Sequence, residues 1–137
     1  MSISRLLIAN RGEIAIRIAR AAADLGIETV AIYSEDDARS RHLLAADDAV
    51  ALGGTGAAAY LDSERIVAIA RERGCDAIHP GYGFLSENAD FARACEAQDV
   101  IFVGPTPGSL AFLAIRHRPE SWPWITTFRS SPGPKAR

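Results

Sequence analysis

Short apolar runs separated by helical or glycine-rich stretches dominate the first hundred residues of this chain. They are residues 5–9 (RLLIA), 29–33 (TVAIY), 48–52 (DAVAL), 76–79 (DAIH) and 100–103 (VIFV). Their apolar residues scarcely alternate, so neither face of such a strand can be left to water. A strand buried on both faces needs a helical layer on each side, which a parallel sheet with crossover helices provides. Between the runs, residues 12–25 place Ile14, Ile18, Ala21, Ala22 and Leu25 on one helical stripe and Arg17, Arg20 and Asp24 on another. Gly26 ends that helix. Residues 38–45 read as a short helix opened by Ser34-Glu35-Asp36-Asp37. Residues 64–73 read as a helix with Ile66, Ile69 and Ala70 inward, and 88–97 as one with Phe91, Ala92 and Cys95 inward. Residues 107–113 open another. The expected fold is α/β: a Rossmann-like doubly wound parallel sheet of about five strands in a single domain.

In such a sheet, ligands meet the loops beyond the strand C-termini. The first carries Asn10, Arg11, Gly12 and Glu13. It lacks the GxGxxG of a dinucleotide site, and Glu13 would set negative charge where a phosphate should lie. It reads as a strand-to-helix turn whose acidic residue suits the helix N-terminus. Residues 53–56 (GGTG) lack the GK[ST] of a phosphate-cradling loop. The loop His79-Pro80-Gly81-Tyr82-Gly83-Phe84-Leu85-Ser86-Glu87-Asn88 is more informative. Its glycines permit turns and close approaches that a Cβ would block, and Tyr82 and Phe84 can give a planar ligand an apolar wall. Ser86 or Asn88 can cap the next helix, with Glu87 in its first turn. His79 has no triad or metal partner at a suitable spacing and reads as a satisfied strand-end histidine. Asp36, Asp37, Asp47 and Asp48 read as a solvated edge. Cys75 and Cys95 lack ligand or redox spacing and read as buried.

The net charge of −2 excludes a chain built to grip nucleic acid or a membrane surface, and no run approaches the ~20 apolar residues of a membrane span. With no targeting segment in view, a cytoplasmic location is expected. That net charge hides a split: −6 through Leu113 and +4 afterwards. Both tryptophans and four of the seven prolines also follow residue 113. Two segments of different composition meet there.

The run 7–34, containing IANRGEIAIRIARAAADLGIETVAIYS, together with Leu43–Asp47, Tyr60-Leu61, AIHPGYGFLSENADFA at 77–92 and FVGP at 102–105, resembles the opening of biotin carboxylases. The resemblance covers roughly residues 5–113. It implies a pre-ATP-grasp domain of an ATP-dependent ligase, which activates bicarbonate with MgATP to carboxyphosphate and carboxylates biotin on a carrier protein. It implies one wall of the biotin site from Tyr82, Gly83, Phe84 and Glu87, and a dimer face at Arg17, Arg20 and Asp24. The catalytic, nucleotide and metal residues of that family would lie elsewhere, so no catalytic residue, metal ligand or bound cofactor is expected here. Biotin, ATP and Mg are the family's cofactors. Its partners are biotin carboxyl carrier protein, the remaining carboxylase domains and a second copy. The resemblance stops where a Met-Gly-Asp-Lys-like stretch is due; the only lysine in the chain is Lys135. The expectation is therefore a family domain over 1–113 and an irregular tail over 114–137, disordered or read from a shifted frame, making the isolated chain inactive. The alternative is a non-catalytic module that binds a full-length carboxylase subunit.

Overall fold

The computed structural model describes residues 3–104. The expectations for residues 107–113 and 114–137 lie outside them. The strands β1 (Arg5–Ile8), β2 (Glu28–Tyr33), β3 (Asp48–Ala51), β4 (Ala77–His79) and β5 (Ile101–Phe102) form one sheet in the order β3-β2-β1-β4-β5. Every pairing is parallel, with Leu7 opposite Val30 on one side and Ile78 on the other. The helices are α1 (Gly12–Asp24), α2 (His42–Ala45), α3 (Ser63–Glu72) and α4 (Ala89–Ala97). This is the expected doubly wound Rossmann-like layer. Of the helix expected over 38–45, only His42–Ala45 forms, as the short α2, and a 3-10 turn at Glu35–Asp37 precedes it.

The sheet separates two apolar clusters. On one face, Leu7, Val30, Ile32 and Ile78 meet Ile66, Val67, Ile69 and Ala70 of α3 and Phe91 and Cys95 of α4. Here the inward residues expected of both helices are buried as read. On the other face, Leu6, Ile8 and Ala77 meet Ala15, Ala19 and Ala22 of α1. The stripe read for α1 is thus rotated. Alanines face the sheet, Ile14 and Ile18 are half-buried, and Leu25 is 75% exposed. Small side chains let the helix axis approach the strands closely, so the bulkier apolar residues fall to its flank.

Three helices end alike. After α1, α3 and α4, a left-handed residue (Gly26, Gly74, Asp99) is followed by an N–H that reaches back five residues. Those bonds run from Ile27 to Ala22 O at 2.8 Å, from Cys75 to Ala70 O at 2.8 Å and from Val100 to Cys95 O at 2.9 Å. Each turn feeds the chain directly into or toward the next strand. Cys75 and Cys95 are buried, and burial pushes their thiols up, to about 11 and about 12.

Candidate functional site

β1 and β4 are neighbours, yet α1 leaves β1 on one face of the sheet while α4 leaves β4 on the other. Their C-terminal ends diverge, which opens the crevice where doubly wound sheets receive ligands. Asn10 stands at the end of β1 and is buried. Its Nδ2 donates to the carbonyls of Pro80 at 2.8 Å and Tyr82 at 2.6 Å, and its Oδ1 accepts the Arg11 N–H at 2.8 Å. One amide side chain therefore fixes the start of the Pro80–Asn88 loop to the turn after β1.

Gly81 and Gly83 both take left-handed backbone, at φ +67° and +66°. A Cβ on Gly81 would come within 2.8 Å of both Asn10 Nδ2 and Ile14 Cγ2, whereas at Gly83 it would meet nothing within 4 Å. The first glycine is required by space as well as by conformation. Phe84 is also left-handed, at φ +47°, a conformation that costs a bulky residue free energy. Its ring lies 5.2 Å from that of Tyr60 and packs on the core cluster. The structure thus gives the crevice Tyr82, 42% exposed, and turns Phe84 away from it. The loop closes with Ser86 N–H on Gly83 O at 2.9 Å, and Asn88 Oδ1 accepts the Phe91 N–H at 2.9 Å. Asn88, not Ser86, is the cap of α4. Glu87 precedes that cap instead of lying in the first helical turn, and partial burial raises its carboxyl. Ser86 is buried, its hydroxyl without a partner among the described residues.

A cleft of about 520 Å³ opens beside this loop, lined by Glu13, Ile14, Arg17, Ile18, His79, Gly81 and Tyr82. Its floor is apolar, its rim charged. His79 Nδ1 accepts the Gly81 N–H at 3.1 Å, and burial lowers the imidazole's pKa. The ring is therefore neutral, with its proton on Nε2. Arg17 and Glu13 pair along α1 at 3.4 Å, while Arg20 and Asp24 are exposed on the same helix. Gly12 begins α1, and its extended neighbour Arg11 supplies no side-chain cap.

Arg11 does something the sequence did not reveal. Its guanidinium meets Asp37 Oδ1 at 2.6 Å and lies over the Tyr60 ring. Tyr60 OH donates to Asp37 Oδ2 at 2.7 Å, and Ser34 and Ser40 add hydroxyls at 3.2 and 3.3 Å. Burial alone would raise the Asp37 carboxyl, but these donors outweigh it and hold it at about 2. Asp37, read above as part of a solvated edge, is buried. Nor are its neighbours free: Asp47 accepts the Thr29 N–H at 2.8 Å, and Asp48 pairs with Arg73 at 2.7 Å. The network joins the turn after β1, the turn after β2 and, through Tyr60 and Phe84, the loop after β4.

Among the described residues no group of three or more His, Cys, Asp or Glu side chains could hold a metal ion, and none of them is a lysine.

A family model described as the biotin carboxylase N-terminal domain matches residues 2–110. Biotin carboxylase 1 of Bacillus subtilis is 54% identical over 110 residues, covering 80% of this chain and 24% of that protein. Mitochondrial pyruvate carboxylase of Rattus norvegicus is 54% identical over 108 residues, 77% of this chain and 9% of its own length. The solved biotin carboxylase domain of a single-chain bacterial carboxylase superposes with a TM-score of 0.80 at 56% identity, covering 81% of this chain and 26% of that one. This chain thus spans a quarter or less of the curated relatives it matches. With the fold, the switch-point loop and the family match in agreement, the chain belongs to the biotin carboxylase family and corresponds to the N-terminal domain of its members.

Proposed function

We propose that this chain is the N-terminal part of an ATP-dependent biotin carboxylase and that its switch-point loop forms one wall of the biotin site. The observation that carries the reading is the pairing of exposed Tyr82 with side-chain-free Gly83 on a loop tied down by Asn10. A phenol ring offers a flat apolar surface to a fused bicyclic ring, and the missing Cβ lets such a ring approach the backbone. Glu87 is a positioning group at the loop's far end. Phe84, facing the core, supports the wall from behind. The relatives carry names as different as urea, 2-oxoglutarate, acyl-coenzyme A and pyruvate carboxylases. A domain shared by all of them belongs to the step they have in common, the carboxylation of biotin, and not to the choice of final acceptor.

On this reading, phosphate chemistry with MgATP belongs to other parts of the larger protein, as the resemblance to biotin carboxylases implies. The 137-residue chain alone accordingly does not cleave ATP in response to bicarbonate. Its partners are the biotin-bearing carrier protein and the remaining carboxylase domains, with the α1 face of Arg17, Arg20 and Asp24 available to a second subunit.

The test is a graft of residues 1–110 in place of the corresponding domain of Bacillus subtilis biotin carboxylase 1. The chimera is expected to carboxylate free biotin, and Tyr82→Ala within it to raise KM for biotin several-fold with a smaller change in kcat. A folded chimera whose KM for biotin ignores Tyr82→Ala would remove the loop from the site.

A further inference from the structure

Tyr60, in a 3-10 turn over Ala57–Leu61, is fully buried and belongs to the core cluster shared with α3 and α4. A phenylalanine would fill that core as well, but a phenol brings a hydroxyl that burial obliges to find partners. It finds two, donating to Asp37 Oδ2 at 2.7 Å and accepting the Ser34 N–H at 3.2 Å. Asp37 in turn draws in Arg11. Among the described residues this ion pair has the most buried carboxylate: the Asp37 side chain is 7% exposed, and no other paired carboxylate falls below 33%. Burying a charge beside its partner is a poor way to gain stability, since an apolar replacement of similar shape often serves as well. What the arrangement does supply is direction. It holds the Tyr60 ring in one place, with its hydroxyl on the turn after β2 and its ring beside Phe84.

We propose that Tyr60 is a positioning residue for Tyr82, acting through Phe84 and held in place by Asp37 and Arg11. Its kinetic consequence rests on the reading of Tyr82 as part of the biotin wall; the placement of the loop does not. Phe84 is left-handed, and a bulky residue stays in that conformation only where its surroundings hold it. Its ring lies against Tyr60, 5.2 Å between centroids and tilted by 31°. Two residues earlier, the Tyr82 carbonyl is held by Asn10. Tyr82 and Gly83 thus span two fixed points, Asn10 on one side and the ring pair on the other. Only Gly83 separates Tyr82 from Phe84, and its carbonyl accepts the Ser86 N–H within the same turn, so a displacement of Phe84 carries the turn with it. Both fixed points lead back to one dipeptide. Asn10 Oδ1 accepts the Arg11 N–H, and the Arg11 guanidinium lies 5.9 Å from the Tyr60 ring centroid while pairing with Asp37. Asn10-Arg11 therefore grips the loop twice, directly at Tyr82 and by relay behind it.

The experiment removes one oxygen. Tyr60→Phe in the 137-residue chain keeps the ring and releases it from Asp37. In nitrogen-15 NMR the amides of Tyr82, Gly83 and Phe84 are expected to shift, while those of Ala15 and Ala19, on the other face of the sheet, stay in place. Unmoved amides at Tyr82 and Gly83 would overturn the proposal. In the Bacillus subtilis chimera, Tyr60→Phe should raise KM for biotin roughly two- to fivefold, leave kcat and KM for ATP unchanged, and add nothing once Tyr82 is replaced by alanine. An effect that persists in the Tyr82→Ala background, or that falls on kcat and KM for ATP alike, marks a merely structural role and overturns it. Tyr82→Ala raising KM for biotin while Tyr60→Phe leaves it alone would also overturn it, with the biotin reading intact. Tyr82→Ala without effect would remove the biotin reading instead, and the amide shifts then decide the positioning by themselves. Should Tyr60→Phe fail to fold, Asp37→Asn keeps the side chain's size, gives up the charge that holds Arg11, and is expected to move the same amides; their staying in place would reject the relay.

Discussion

Asn10 and Gly81 exclude any larger neighbour from each other's place: a Cβ on Gly81 would lie 2.8 Å from Asn10 Nδ2. The contact exists because that nitrogen must pass Gly81 to reach the carbonyls on both sides of it. Gly81→Ala therefore combines a left-handed penalty with a clash and is expected to cost upward of about 2 kcal/mol. Gly83→Ala meets open space and should cost only about 1 kcal/mol. Asn10→Ala strands two carbonyls and should cost about 2 kcal/mol. Denaturant unfolding ranks the three; Gly83→Ala proving as harmful as Gly81→Ala would refute the steric account.

Asp37 sets an acid limit on stability. Its folded pKa of about 2 lies below the ordinary carboxylate value of about 3.9. Its contribution is complete above that ordinary value and is lost as pH falls through the folded one. A depression of this size corresponds to about 2–3 kcal/mol. Asp37→Asn should be less stable than the parent at pH 7, and the difference should shrink between pH 4 and pH 2. A constant gap across that range would contradict the assignment.

His79 behaves in the opposite chemical sense but loses stability on the same side. Burial disfavours its charged form, so the folded imidazole titrates below its ordinary value of about 6.5. Stability from this group is whole above that value and declines as pH drops beneath it, where the unfolded chain takes up the proton first. Nitrogen-15 NMR should show the Nε2–H tautomer with Nδ1 bare, since Nδ1 accepts from Gly81. A protonated Nδ1 at neutral pH would be inconsistent with the loop geometry.

The α1 face makes a prediction about association. Leu44 is 87% exposed, on an open surface shared with Arg20 and Arg41. If this surface receives a second subunit, mixing the chain with Bacillus subtilis biotin carboxylase 1 yields a mixed species on size exclusion. Arg17→Glu with Arg20→Glu should abolish it. A mixed species that tolerates both reversals would move the contact elsewhere.

The fold was legible because doubly buried strands leave little choice of sheet, and because α3 and α4 carry their large residues on the side that is buried. α1 misled because the larger, more apolar isoleucines and leucine were expected to face inward, whereas its alanines took the sheet. Only the distance between helix and sheet selects the smaller set. Asp37 looked solvated because its partners, Arg11 and Tyr60, lie far away in sequence and meet it only through the sheet. The glycines of the loop announced a tight turn, yet they could not say which aromatic faced outward. That depended on Tyr60, which claims Phe84.

Asn10 has one last consequence. Both hydrogens of its amide and its carbonyl oxygen are satisfied within the protein, so this conspicuous polar residue is left with little to offer an arriving molecule. In exchange, the entropy of ordering the loop's first turn is settled at folding and not at each encounter. A guest at Tyr82 finds its berth already built.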